Sequence, residues 1–566
     1  MFYFWTDIKF IHYPQLHYSF LFFSTCFRVV LPTCYRVVLP TCSLNNRCSV
    51  LIPAASRQSI SNLISQLEGF RRGRFITTNK MKSAFILRLL TILSLLSISI
   101  ATQVCVIGSG IAGASLSHFL SQYSSGEIND IVVFERSGVV GGRMATVTIG
   151  EDIFEAGATV IHPKNVLSAK FVELLGLQRR PQEDPDLSSW VGIWDGHQFV
   201  FQTLPPTSGS SVSKFILSVL NNLRLLWRYG ISLFRMNRLV KNTVEKFMLY
   251  YTKLDSRPVF GNVEDMLKWS GLYDMTQRTL RDELVDANLS ELLVSELITV
   301  ITRINYGQDV NISGLAGTVS LAGSDEGLWS VDGGNWQIAA GLIKHSNATL
   351  HLNEEVTDIS YTGDYYELQT TEGNNYNCKV TVIATPLDEL NISFTPPISI
   401  PSRKLQHTHA TFVRGILNPA YFGLELVSKV PGTIGTLEKS DIPFSSISIL
   451  KKYSEDDMTY KVFSRAAMGD DLLDKIFRLR KETIKINWAA YPHYEAPEIF
   501  APFKLNEKHL YYVNSFENAA STIEVSAVAA ENVARLILSR LKVVSENVSN
   551  LKTVYDQEDT SQRTDL

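Results

Sequence analysis

The sequence is poor in charge. Acidic and basic residues fill only 19% of its 566 positions, against about 25% in an ordinary soluble chain, while 45% are apolar and 10% aromatic. So much apolar surface excludes intrinsic disorder for most of the chain. No block of one sign dominates and the formal net charge is -3, which argues against a dedicated nucleic-acid binder. Glycine has no triplet period, no long heptad run occurs, and there is no series of apolar stretches of roughly 18 residues. Collagen-like, coiled-coil and multi-span membrane classes therefore drop out. Cysteine is scarce as well, and four of the six (Cys26, Cys34, Cys42, Cys48) fall in the first 48 residues. What remains is a large globular enzyme or binding protein with room for two or more domains.

The N-terminal 80 residues differ from the rest. CFRVVLPT (Cys26 to Thr33) recurs almost unchanged as CYRVVLPT (Cys34 to Thr41). Residues 81–101 then read as a secretory signal. Met81 and Lys82 open a basic n-region reaching Arg88, Leu89 to Ile100 form the apolar stretch, and Ser99-x-Ala101 offers a cleavage site before Thr102. On this reading residues 1–80 are an upstream extension; an acid-poor organelle transit peptide is the alternative. Beyond the signal only Cys105 and Cys378 remain, in apolar strand-like text, and buried free thiols are expected there. Five N-x-S/T sequons follow, at Asn288, Asn311, Asn347, Asn391 and Asn547, and they add mild support for passage through the secretory pathway.

Strand-like QVCVI (Gln103 to Ile107) leads into GSGIAG, with Gly108, Gly110 and Gly113, and then into helix-like ASLSHFL. In this order the first glycine makes a tight turn, the second lets a pyrophosphate approach the backbone, and the third lets helix pack on strand. The helix N-terminus then offers free N–H groups and a positive dipole end to phosphate. A second apolar strand ends in Glu135, followed by Arg136, and a carboxylate there suits both hydroxyls of an adenosine ribose. The loop Gly141-Gly142-Arg143 follows, as in flavoproteins with two dinucleotide-binding domains, and the combination points to FAD. There is no second G-x-G-x-x-G unit for a nicotinamide cofactor, which leaves molecular oxygen as the electron acceptor.

The runs FEAGATVIHP (Phe154 to Pro163), WRYG (Trp227 to Gly230), RINYGQ (Arg303 to Gln308), GLWSVDGGN (Gly327 to Asn335), VIATPL (Val382 to Leu387) and NAASTIEVSAVAAENVA (Asn518 to Ala534) resemble the prenylcysteine oxidase family, called farnesylcysteine lyase in plants. The resemblance spans about residues 103–540. It implies an α/β (α+β overall) FAD-binding Rossmann-like flavoprotein with an interleaved substrate domain. Residues 102–165, 325–388 and 505–545 would form the FAD domain, 166–324 and 389–504 the substrate domain, and 546–566 a polar tail. It also implies a substrate, free farnesyl- or geranylgeranyl-cysteine, and products, namely cysteine, a prenyl aldehyde and hydrogen peroxide. In related flavoproteins a valine such as Val356 meets the adenine by its backbone, and the helix start near Thr522 can point N–H groups at the flavin.

A carbon that is both allylic and next to sulfur is a good hydride donor, after which water adds and the hemithioacetal falls apart. The protein then mainly orients substrate and excludes water. His162 is the candidate to assist water, or else a structural histidine. Arg303 and Tyr306 are candidates to hold the amino acid carboxylate, or else Arg303 pairs with an acid of its own domain. Trp329 and Trp336 either wall a prenyl tunnel or belong to the core. No metal site is expected. Residues 214–253 carry eight Lys/Arg against one acid, Glu245, with apolar residues at helical spacing, so they form either a membrane-surface segment or two helices with solvated basic faces. Two alternatives stand: an amine or polyamine oxidase of the same fold, and a prenyl-binding escort protein without flavin. Glu135 and Gly141-Gly142-Arg143 speak against the escort. Asn518, Ala519 and Ala520, where many amine oxidases carry glycines, speak against the amine oxidase.

Overall fold

The computed structural model describes residues 102–181, 190–206, 210–252 and 256–561, with side chains described as far as residue 542. The eight-residue repeat, the signal-like segment 81–101, the upstream extension and the side chain of Asn547 lie outside these residues.

A five-stranded parallel sheet forms the frame of the site. Its strands are β1 (Gln103–Ile107), β2 (Asp130–Glu135), β3 (Thr349–Leu352), β4 (Val380–Ile383) and β5 (Leu510–Tyr512), in the spatial order β5-β4-β1-β2-β3. Three separated stretches of chain thus supply one sheet. Its central strands are apolar at nearly every position, as strands covered on both faces must be. Helix α1 (Ile111–Tyr123) is buried from Ile111 to Leu120 and packs on helix Trp336–His345 and on the long C-terminal helix. That last helix begins at Ile523, and its first five turns are rich in buried alanine and valine, whose small side chains let helix and sheet approach closely.

The strands Asn375–Cys378, Tyr366–Thr370, Val356–Tyr361 and Ser393–Thr395 form a second sheet beside the first. A third, of seven strands, is built around Leu405–Leu417, which pairs antiparallel with Phe477–Pro492 on one side and Asp457–Ser464 on the other. Two helices, α2 (Ser211–Tyr229) and α3 (Ser232–Phe247), lie in the segment expected to be helical, separated at Gly230. Gly230 has φ +59°, a left-handed turn that glycine adopts without strain.

One cysteine expectation is corrected. Cys105 of β1 and Cys378 are not free thiols but a disulfide, with Cα atoms 5.8 Å apart. Cys378 ends the strand Asn375–Cys378, and the Lys379 N–H beyond it donates to the Gln103 carbonyl before Val380 pairs with Val104, so the chain enters β4 beside the start of β1. Both sulfurs are buried between the first two sheets.

Candidate functional site

At the carboxyl end of β1 the chain turns at Gly108, whose φ of +109° only glycine tolerates; a Cβ there would also stand 2.8 Å from the Ala384 carbonyl oxygen. Gly113 sits one turn into α1, where any side chain would collide with the Gly108 carbonyl. Gly110 differs: its missing Cβ would face Gly141 and Gly142 at ordinary contact distances. It forms a bridge with Gly141, so the two glycine loops lie against each other across a gap that only backbone lines.

Glu135 ends β2 and is buried. One carboxylate oxygen accepts hydrogen bonds from the Ser109 N–H (3.0 Å) and hydroxyl (2.6 Å), the other from the Ser137 N–H (2.9 Å) and hydroxyl (2.7 Å). The four bonds lock the carboxylate at the edge of the cradle.

This cradle opens into a cavity of about 1080 Å³, beyond the roughly 300–1,000 Å³ of a single small-ligand pocket. Gly108, Gly110, Glu135, Arg136, Gly141, Gly142, Arg143, Val356 and Thr522 all line it, drawn from four distant parts of the chain. Thr522 caps the C-terminal helix: its Oγ1 accepts from the Val525 N–H at 3.0 Å. Gly113 stands behind the wall rather than on it. The backbone cradle, the buried carboxylate at a strand end and two helix N-termini suit a dinucleotide with a pyrophosphate. Among the described residues no group of histidine, cysteine and acidic side chains could hold a metal ion.

Beyond the cradle the cavity is walled by apolar and aromatic residues: Phe247, Met248, Leu315, Val319, Phe463, Trp488 and Tyr491. Sequence reasoning missed this lining, because it comes from α3, a short helix and two strands far apart in the chain. Trp488 is held by its indole N–H, which donates to the Ala156 carbonyl at 2.9 Å.

The three catalytic candidates fare differently. His162 lines the cavity, but both ring nitrogens are engaged: Nδ1 accepts from the Lys164 N–H (3.0 Å) and Nε2 faces Asp325 (3.2 Å). Tyr306 also lines it, with its ring against Tyr491 and Tyr494 and its hydroxyl donating to the Ser521 carbonyl at 3.0 Å. Burial raises its pKa, so it stays a phenol that fixes the turn before Thr522. Arg303 takes the other of its two expected places, an ion pair within its own domain. It is buried away from the cavity, paired with Glu438 at 2.6 Å and donating to Thr436 Oγ1 at 3.1 Å, so it meets no ligand there. Nor do Trp329 and Trp336 wall the cavity: Arg179 stacks over the first, and the second donates its indole N–H to the Gly333 carbonyl.

A cation that the sequence reading overlooked does reach the wall. Lys461 lies in the strand Asp457–Ser464, buried, with Nζ donating to the Glu155 carbonyl (3.0 Å) and Thr159 Oγ1 (3.1 Å), and over the Phe463 ring at 4.7 Å. Burial brings its pKa down to about 8, the Glu155 carboxylate opposing. Burial in turn lifts Glu155 to about 7. The signal was a lone lysine inside the apolar run MTYKVF.

Behind the Gly141-Gly142 loop, Arg143 donates to the Ala490 carbonyl at 2.7 Å and pairs with the buried Glu517. Glu517 is bridged on its other side by Arg403 at 3.4 Å, which also holds Asp388 at 2.7 Å.

Comparisons with known proteins agree with this geometry. Residues 212–550 match the family model "Prenylcysteine lyase", and residues 106–174 match "NAD(P)-binding Rossmann-like domain". The chain is 58% identical over 450 residues to farnesylcysteine lyase of Arabidopsis thaliana, covering 79% of this chain and 90% of that protein. It is 34% identical over 469 residues to human prenylcysteine oxidase 1, covering 77% and 89%. Among solved structures, cyclohexylamine oxidase from Brevibacterium oxydans aligns with a TM-score of 0.52 at 17% identity, over 78% of this chain and all of that one. That likeness shows the fold alone, a Rossmann-like architecture of mixed α/β sheets.

Proposed function

The chain belongs to the prenylcysteine lyase family, and on that premise we propose that it is an FAD-dependent thioether oxidase. It cleaves free farnesyl- or geranylgeranyl-cysteine, with water and oxygen, into cysteine, a prenyl aldehyde and hydrogen peroxide, in the breakdown of prenylated proteins. The observation that carries this reading is that one cavity joins the glycine cradle to a chamber of aromatic and aliphatic walls. An amphiphile with a polar head and a long apolar tail fits such a chamber.

Bound in the cradle, FAD supplies a two-electron acceptor that oxygen can reoxidise. The chain's own residues do the rest. Gly108, Gly110, Gly141 and Gly142 would give the pyrophosphate a backbone bed, Glu135 would accept from the ribose in place of the Ser109 and Ser137 hydroxyls, and Val356 would border the adenine. Arg136, Arg143 and the helix start at Thr522 add positive potential. Phe463, Trp488 and Tyr491 exclude bulk water around the tail. Lys461 takes the part expected of Arg303: it has three N–H donors, two used by Glu155 and Thr159, and its charge in a dry wall draws the amino acid carboxylate.

The same reading puts the protein in the secretory pathway, in a lysosome or vacuole. The signal-like segment 81–101, the Cys105–Cys378 disulfide and the exposure of Asn288, Asn311, Asn347 and Asn391 support it.

The test is spectroscopic. Anaerobic farnesylcysteine bleaches the flavin band of purified protein, and oxygen restores it with farnesal and peroxide formed. Deuterium on the carbon next to sulfur slows the bleaching; deuterium elsewhere on the chain does not. Reduction by spermidine but not by farnesylcysteine would move the protein to the amine oxidases. A colourless protein that FAD cannot reconstitute would make it an escort.

A further inference from the structure

Helix α2 carries apolar residues on two opposite sides, one buried and one exposed, with its basic residues between them. Leu225 and Tyr229 are buried against Leu233, Leu297 and Ile298, and Arg228 ties the helix to Glu296 at 2.7 Å. Val212, Ile216, Leu220, Leu223 and Trp227 follow one another at steps of four, four, three and four residues, which places them in one stripe along the helix. That stripe faces outward. Trp227 is 93% exposed, Val212 67%, and Ile231 and Phe234 at the start of α3 continue the patch at 62% and 51%. Soluble monomers seldom leave so continuous an apolar surface in water unless it has a partner.

Charge says which partner. Exposed Lys214, Arg224, Arg235, Arg238 and Lys241 belong to the same two helices, in a chain whose overall formal charge is negative. A second copy laid on this face would bring like charges together. An anionic lipid surface would attract them, at roughly 1 kcal/mol per Lys or Arg near the headgroups, and Trp is the side chain that headgroup layers favour. No helix among the described residues is long and apolar enough to cross a membrane, so the contact is interfacial. The helix pair also leads inward: α3 starts in the exposed patch, and Thr243, Val244, Phe247 and Met248 at its far end line the cavity.

We propose that the outer stripe of α2 and the first turn of α3 seat in an anionic lipid leaflet, and that a prenylated amino acid passes from that lipid along α3 into the cavity. The route, though not the seating, rests on the prenylcysteine reading above.

Flotation of the purified full chain with phosphatidylcholine vesicles, with and without phosphatidylserine, tests the seating without any turnover. The protein is expected to float with the phosphatidylserine vesicles. Leu223→Ser with Trp227→Ser should lower that partitioning about tenfold or more. Arg224→Glu with Arg238→Glu should abolish the preference for phosphatidylserine. The Leu223/Trp227 variant should turn over a short, water-soluble prenylcysteine at the wild-type rate while its KM for vesicle-embedded farnesylcysteine rises. Wild-type protein that stays with the buffer, or a Leu223/Trp227 variant that floats as well as wild type, overturns the proposal. So does a dimer that these two substitutions split, which would make a second copy the occupant. Flotation as expected with no turnover of any prenylcysteine would sink the proposed activity and the route while leaving the seating in place.

Discussion

The buried carboxylate of Glu517 pairs with the guanidinium of Arg143, joining the segment that precedes the C-terminal helix to the loop beside the glycine cradle. Arg403 grips the same carboxylate from the other side, so one acid satisfies two cations at the back of the site. Burial alone would raise the Glu517 pKa, but the two guanidinium groups outweigh it and hold the carboxyl down to about 2.

Glu517→Gln should therefore cost about 1.5–3 kcal/mol of stability at neutral pH, because Arg143 loses its carboxylate partner and Arg403 keeps only Asp388. A depressed carboxyl pKa means stability present above the unfolded value of 4.5 and lost as pH falls from there toward 2. Thermal melts between pH 7 and 2 check this: the variant starts lower and loses less across the acid window than wild type.

Glu135→Ala removes the acceptor assigned to the ribose and four hydrogen bonds, two from the Ser109 and Ser137 backbone N–H groups and two from their hydroxyls. With charge-assisted bonds worth roughly 1.5–3 kcal/mol each, FAD affinity should fall by at least about tenfold. Titration of the apoprotein with FAD measures it, and an unchanged Kd would remove Glu135 from the site.

Lys461→Met should raise KM for farnesylcysteine about tenfold or more, while Arg303→Met should lower Tm and leave KM alone. Lys461 is protonated below its pKa of about 8, so wild-type affinity should decline as pH rises through that value. The Lys461→Met profile should be flat there. Equal KM effects from both substitutions would return the carboxylate role to no single residue.

Reduction of the Cys105–Cys378 disulfide, or Cys378→Ser, should destabilise the protein by about 2–5 kcal/mol, since the bridge closes a loop spanning a sequence separation of 273. Melts with and without reductant decide it. Indifference to reductant in a protein shown by mass spectrometry to carry the bond would mean the register of β1 and β4 holds without the bridge.

What the sequence by itself determined was local. Gly108, Gly110 and Gly113 are legible because a turn that demands positive φ, a backbone gap and a close helix–strand contact each depend on atoms a few residues apart. Glu135 was legible for a similar reason: strand length alone brings a carboxylate to the sheet end. Partnership was not legible. Arg303 and Lys461 are both single cations in apolar text, yet Glu438 occupies the first while the second faces the cavity, and only the packing of the third sheet distinguishes them. Cys105 and Cys378 each read as a buried thiol until the packing of the second sheet against the first set them side by side. The stripe on α2 follows from helical spacing in the sequence, but whether it turns inward or outward does not. The tertiary structure decided that by burying Leu225 and Tyr229, since a helix packed on one side must present its other side to whatever lies outside.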